Sequence, residues 1–275
     1  MGFFDRLTNG WHIAMSSLKV LQANKQLIIL PILSGISMVL VTASFISVYV
    51  GANSWSFDGL QDMNRATMYA LLFLFYVVNY FVVVFFNMAL VHCAKLYFDG
   101  EEVTVSKGLQ FSISRIGAIF AWAVLSATVG VILKMIQDRA GWLGKIATSL
   151  VGMVWSIATF FVVPVIAYEK LSPVEAVKRS AELMKEKWGE GLGATFSFGL
   201  IQFGFLVVFG IAALAVSALI NEAAGIVLFV LGVLFTFSIT SALNNIFISA
   251  VYNNINGKST PYFHEPLLDG LFEEK

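Results

Sequence analysis

The sequence predicts an all-α, polytopic helical membrane protein, with six transmembrane helices arranged as three hairpins, each preceded by a cytoplasmic amphipathic helix. Three observations carry that expectation. Of 275 residues, 58% are hydrophobic and 12% charged, with a mean hydropathy of +0.82; the charge is about half that of an ordinary soluble domain. Six stretches reach the roughly 20 apolar residues a helix needs to satisfy its own backbone across a bilayer. The basic residues, finally, are sorted among the connecting segments rather than scattered.

The six spans run approximately over residues 27–50, 68–91, 116–133, 146–167, 194–220 and 223–251. The first two carry no charge. Spans three and four are the shortest, and Arg115, Lys134 and Lys145 flank them with stems long enough to snorkel to the headgroups. The last two exceed what the hydrocarbon requires, so tilt or protruding ends are expected. The organisation is a single integral membrane domain: an amphipathic interfacial helix over 1–25, the bundle over 26–251 and a cytoplasmic tail over 252–275.

Orientation is set by Lys and Arg alone. Arg6, Lys19, Lys25, Lys95, Lys107, Arg115, Lys170, Lys178, Arg179, Lys185, Lys187, Lys258 and Lys275 fall on one side, and Arg65, Lys134, Arg139 and Lys145 on the other. Both termini are therefore expected in the cytoplasm. Acidic residues divide the same way, so each side is close to neutral. No cleavable signal is expected, since the first apolar run starts late and is too long for a signal core, and Arg6 stands where myristoylation wants Ser or Thr.

A short repeat marks the segments between hairpins. Spans two, four and six leave through Tyr97, Tyr168 and Tyr252 into a polar turn and then a helix-capping Ser or Thr: Thr104, Ser172 before Pro173, and Thr260 before Pro261. Ser172 to Glu175 reads as a capping box. Gly108, Leu109 and Ser112 come after Thr104 at the offsets at which Ala176, Val177 and Ser180 come after Ser172, and Ile13 and Ser16 stand at the last two offsets from Thr8.

The helices that these caps open are amphipathic. In the first, Phe4, Leu7, Trp11, Met15, Leu18 and Leu21 define the apolar face of a helix expected to lie in the interface plane. In residues 173–188, Val177, Ser180, Ala181, Met184 and Trp188 share one face, and the opposite face carries Glu175 with Arg179 and Glu182 with Lys185. Such helices either brace the bundle or dock a partner or lipid; Glu175, Lys178, Arg179 and Glu182 are the candidate docking residues.

Catalytic groups are sparse. His12, His92 and His264 form no zinc or di-metal pattern, His92 and Cys93 are helix neighbours that point about 100° apart, and His264-Glu265 reads as tail. A single Cys excludes an intramolecular disulfide, and 17 Lys+Arg against 17 Asp+Glu leave no basic field for nucleic acid. Gly189, Gly191 and Gly193 read as the break before span five, not as a phosphate loop. No enzyme activity, metal or cofactor is expected.

Polar groups within the spans are the better clue, because hydrocarbon penalises them unless they find a partner or water. Asn79 and Asn87 lie in span two. Ser238, Ser241, Asn245 and Ser249, with Asn244 beside them, form one stripe on span six. That set is either a passive path for small solutes or ions, or glue between helices. Pro164 in span four and Pro31 near the start of span one are the clear helix breakers, and no ionisable midspan group supports coupled transport. Gly210, Ala213 and Ser217 in span five permit close helix approach, within the chain or between subunits.

The run Val163-Pro164-Val165-Ile166-Ala167-Tyr168-Glu169, a cap, then Ala176-Val177-Lys178-Arg179-Ser180 resembles uncharacterised bacterial six-span families allied to the membrane domain of some glycerophosphodiester phosphodiesterases. The resemblance implies a six-span inner-membrane fold of three hairpins. It does not imply phosphodiesterase activity, because the soluble catalytic domain has no counterpart here. The expected protein is thus non-enzymatic and self-associating, in contact with the lipid bilayer. It is either channel-like or a scaffold for a cytoplasmic protein partner.

Overall fold

A computed structural model of the chain describes residues 3–52, 64–186, 188–257 and 263. Lys187, Lys258, Thr260, Pro261, His264, Glu265 and Lys275 lie outside the described residues. Those described are helical almost throughout and include no β-strand. In order they are α1 (Phe3–Ala23), a 3-10 turn (Lys25–Ile28), α2 (Ile29–Ala52), α3 (Arg65–Phe98), α4 (Val105–Ser114) and α5 (Ile116–Arg139). Then come α6 (Trp142–Ala158), α7 (Val162–Tyr168), α8 (Pro173–Glu186), α9 (Trp188–Leu219) and α10 (Glu222–Ile255).

Six segments are long and apolar enough to cross a membrane: Lys25–Gly51, Arg65–Phe98, Ile116–Arg139, Gly144–Tyr168, Phe198–Leu219 and Glu222–Ile255. The outward side chains are the large apolar ones, such as Leu40, Val154, Phe203 and Leu214, each more than half exposed. In water such a surface would drive aggregation; in a bilayer it is the lipid contact of an integral membrane protein.

Spans two and six form the centre. α10 packs against α9, α3, α1 and α2, while α3 packs against α5, α4, α2 and α10. The core between them is built of Met88, Ala89, Leu90 and Cys93 from α3 and Ala242, Ile246, Phe247 and Ala250 from α10. Close approach of α9 and α10 depends on small residues. A Cβ on Gly225 would stand 2.6 Å from the Ala213 carbonyl oxygen and 2.0 Å from Ser217 Oγ. Two members of the span-five small-residue set therefore serve a contact within the chain, whereas Gly210 has open space before it.

Span four is broken. α6 ends at Ala158 and α7 begins at Val162, with Thr159, Phe160 and Phe161 between. Hydrogen bonds tighten across the gap, Phe160 N–H to the Ile157 carbonyl at 3.2 Å and Val162 N–H to that of Thr159 at 3.1 Å. Pro164, lacking an N–H, removes the next bond of the ladder. The halves differ in setting: α7 buries Val162, Pro164, Val165, Ile166 and Ala167, whereas Thr148 is the only buried residue among those described in α6.

Two expectations change. α1 buries only part of the predicted face: Leu21 is buried and Leu18 half-buried, but Trp11 and Met15 are exposed, and the buried set adds Ile13, Ala14, Ser16, Ser17 and Val20. The reason is tertiary, because α1 lies against α9 and α10, and the small Ala14 and Ser17 let the backbones approach where Trp11 would not. The side chains of Phe4 and Leu7 are outside the described ones. The glycines 189, 191 and 193 do not break the chain; they lie inside α9. Consecutive spans touch in the pairs one and two, three and four, and five and six, although span three packs more extensively along span two than on α6.

Candidate functional site

The residues around the caps, with Tyr168, Tyr252 and Ser249, gather toward the C-terminal ends of α3, α7 and α10, where α4 and α8 dock; Asn79, Ser238 and Ser241 lie further along their spans. Both helices begin as their caps require. Thr104 Oγ1 accepts from the Lys107 N–H at 3.2 Å. Ser172 Oγ donates to Glu175 Oε2 at 2.6 Å, the Ser172 N–H donates to the same oxygen at 3.0 Å, and the Glu175 N–H reaches back to Ser172 Oγ at 3.4 Å. The bonds from Ser172 hold the Glu175 carboxyl below the usual carboxylate range, with Lys178 adding a little.

The residues beyond each cap seat the helix. Gly108 presses on α3 so closely that a Cβ would lie 2.6 Å from Cys93 Sγ and 2.8 Å from the Ala89 carbonyl oxygen. Ala176 at the same offset is fully buried. Eight residues after the cap, Ser112 Oγ donates to the Phe85 carbonyl of span two at 2.8 Å, and Ser180 Oγ accepts the Phe161 N–H of span four at 2.9 Å. The repeat is thus a docking device: a cap starts the helix, a small residue brings it close, and a serine joins it to the span before it.

Two residues of the polar stripe reach α3. Asn245 Nδ2 donates to Asn87 Oδ1 at 3.2 Å and to the Ser241 carbonyl at 2.9 Å, and Ser249 Oγ donates to the Val91 carbonyl at 3.2 Å. Ser238, Asn245 and Ser249 are buried; Ser241 and Asn244 are half-buried. Asn79 turns to its own helix, Nδ2 donating to the Phe75 carbonyl at 2.8 Å. A cavity lined by Ile132, Met135, Ile136, Arg139 and Ala140 lies elsewhere, at the C-terminal end of α5, and no residue of the stripe lines it.

A group missed in the sequence closes the same end. His92 stacks on Phe111 with ring centroids 3.9 Å apart, Phe111 lies 5.7 Å from Tyr168, and Tyr168 stacks on Tyr252 at 6.0 Å. Arg115 sits over Phe111 and Lys95 over Tyr168, each as a cation on an aromatic face. Glu169 accepts from Tyr252 OH at 2.9 Å and from Arg179 Nε at 3.2 Å. The tyrosines at the span exits were the available signal, since two of the three meet here; Glu169 carried none.

Of the candidate docking residues, Arg179 is turned inward by Glu169. Glu175, Lys178 and Glu182 remain exposed on the outer face of α8, with Lys185 beside them. Together the arrangement can hold helices rigidly and display charge. Within it Cys93 Sγ is buried and directed at the Thr104 carbonyl, and His92 Nδ1 stands 3.4 Å from Tyr168 OH.

A family model described as a family of unknown function, DUF6159, matches residues 66–261. That range covers spans two to six with α4 and α8. No curated protein matches the chain.

Proposed function

The chain belongs to the DUF6159 family, and on that premise we propose that it is a non-enzymatic protein of the bacterial inner membrane that organises a partner. Its termini are cytoplasmic and the partner binds α8 from that side. The observation that carries this reading is the seating of α8. Ser180 is tied to span four and Arg179 through Glu169 to span six, so the exposed Glu175, Lys178 and Glu182 are held at fixed positions. A displayed charge pattern on a rigid base is what selective recognition needs. Self-association belongs to the same reading, as does the three-hairpin plan shared with phosphodiesterase membrane domains.

The second reading is a passive path for small solutes. The broken span four favours it, because interrupted helices often line cavities in membrane proteins. The Asn87–Asn245 and Ser249–Val91 bonds favour the first reading, since they use the stripe for helix contact. Single cysteines at Ser241, Asn245 and Ser249, introduced with Cys93→Ser, separate the two. Full protection from a membrane-impermeant thiol reagent supports glue; reaction at all three supports a path. For the scaffold, a photo-crosslinking residue at Lys178 should give a discrete protein adduct that Glu175→Ala with Glu182→Ala abolishes, and one at Leu214 should not. Lipid adducts alone at Lys178 would overturn it.

A further inference from the structure

We propose that the break in span four is a hinge, and that α8 is the strut that sets its angle, with Ser180 as the latch. The environment of the two halves is the first argument. α7 is locked in the core, with Val162, Val165, Ile166 and Ala167 each at 1% exposure or less, and it contacts α3, α8 and α10. α6 touches α5 and α8, and its Ile146, Leu150, Val151, Met153 and Val154 are each about half exposed or more. A half-span with so few protein neighbours has little packing energy to oppose its rotation about the break.

The backbone at the break is the second argument. Phe161 is 2% exposed, and its N–H has left the helical ladder. A buried amide without a partner is costly, so the Ser180 hydroxyl, itself fully buried, holds the broken geometry in place. The latch residue lies on α8, which spans the hinge by touching both α6 and α7. Arg179, the neighbour of Ser180, anchors α8 through Glu169 to Tyr252 of α10. Displacement of α8 from outside the bundle therefore withdraws the acceptor from Phe161 and frees α6 to swing, while α7 and the α3–α10 centre stay fixed. Hinges of this kind place the moving angle in a few residues between rigid elements.

The test uses the full chain in lipid nanodiscs. Amide hydrogen exchange in a peptide covering residues 155–165 should rise roughly tenfold in Ser180→Ala, the scale of one lost buried hydrogen bond, and a peptide covering 240–250 should not change. Nitroxides at Ile132 and Leu150 with Cys93→Ser report the swing of α6 against α5; nitroxides at Phe203 and Val230 report the α9–α10 contact. In the protein with Ser180 intact, the first pair should give the broader distance distribution, and Ser180→Ala should broaden or shift it further without altering the second. Equal widths for the two pairs would overturn the hinge even if Ser180→Ala does not fold. Unchanged exchange in a folded Ser180→Ala would overturn the latch.

Discussion

At the scale of single residues, the capping box of α8 shows how a four-residue pattern becomes a measurable property. The Glu175 carboxylate accepts from the Ser172 hydroxyl and N–H, which lowers its pKa in the folded protein relative to the unfolded chain. A depressed carboxyl contributes stability above the ordinary carboxylate range, and the contribution is lost as pH falls through the folded value. The protection of the Ser172, Glu175 and Ala176 amides, taken against their intrinsic exchange rate at each pH, should therefore fall as the solution is acidified towards and below that range. In Glu175→Gln, which keeps an acceptor but cannot titrate, that loss of protection should vanish. A wild-type profile flat with pH would contradict the assignment. This box was fully legible because cap, Pro and Glu are adjacent in sequence, and so was the Thr104 cap. Asn64 and Asn221, which accept from the Ala66 and Ala224 N–H groups, are caps of the same chemistry that the apolar pattern of their spans concealed.

At the scale of elements, sequence reveals which side chains line up but not what they meet. The stripe of α10 was readable as a stripe from its spacing. One partner of the stripe is Asn87, 158 positions before Asn245, and only the packing of α3 on α10 brings the two together. α1 makes the converse point: periodicity gives a helix, but its large apolar residues lie on exposed and buried sides alike, and the side packed on α9 and α10 mixes Ile13, Val20 and Leu21 with the small Ala14, Ser16 and Ser17. If Asn87 and Asn245 are paired inside the membrane, a double-mutant cycle with Asn87→Ala and Asn245→Ala should return a coupling of about 0.6–1.7 kcal/mol, the range for interhelical hydrogen bonds in bilayers. Unfolding in mixed micelles measures it. A coupling near zero would mean that Asn245 gains enough from the Ser241 carbonyl of its own helix.

At the scale of the whole molecule, charge and packing bear on the same question from different directions. Lys95, Arg115 and Arg179 gather where α3, α7 and α10 end, whereas Lys134 pairs with Asp138, which also accepts from Tyr69 OH at 3.1 Å near the start of α3. The two groups thus occupy opposite ends of the bundle, an arrangement that span order foretold; the meeting of three span exits around Glu169 was not foretold, because adjacency of spans two, four and six is a tertiary fact. Positive-inside orientation responds to Lys and Arg rather than net charge, so the acidic partners at the densely basic end do not weaken the prediction that this end is cytoplasmic. With Cys93→Ser, a cysteine at Trp142, 70% exposed at the start of α6, should react in intact spheroplasts with a membrane-impermeant maleimide. One at Val174, 56% exposed on α8, should react only after the membrane is opened. The inverse pattern would put α8 outside the cell and remove the premise of a cytoplasmic partner, while leaving the hinge in span four, which depends only on contacts within the chain, where it stands.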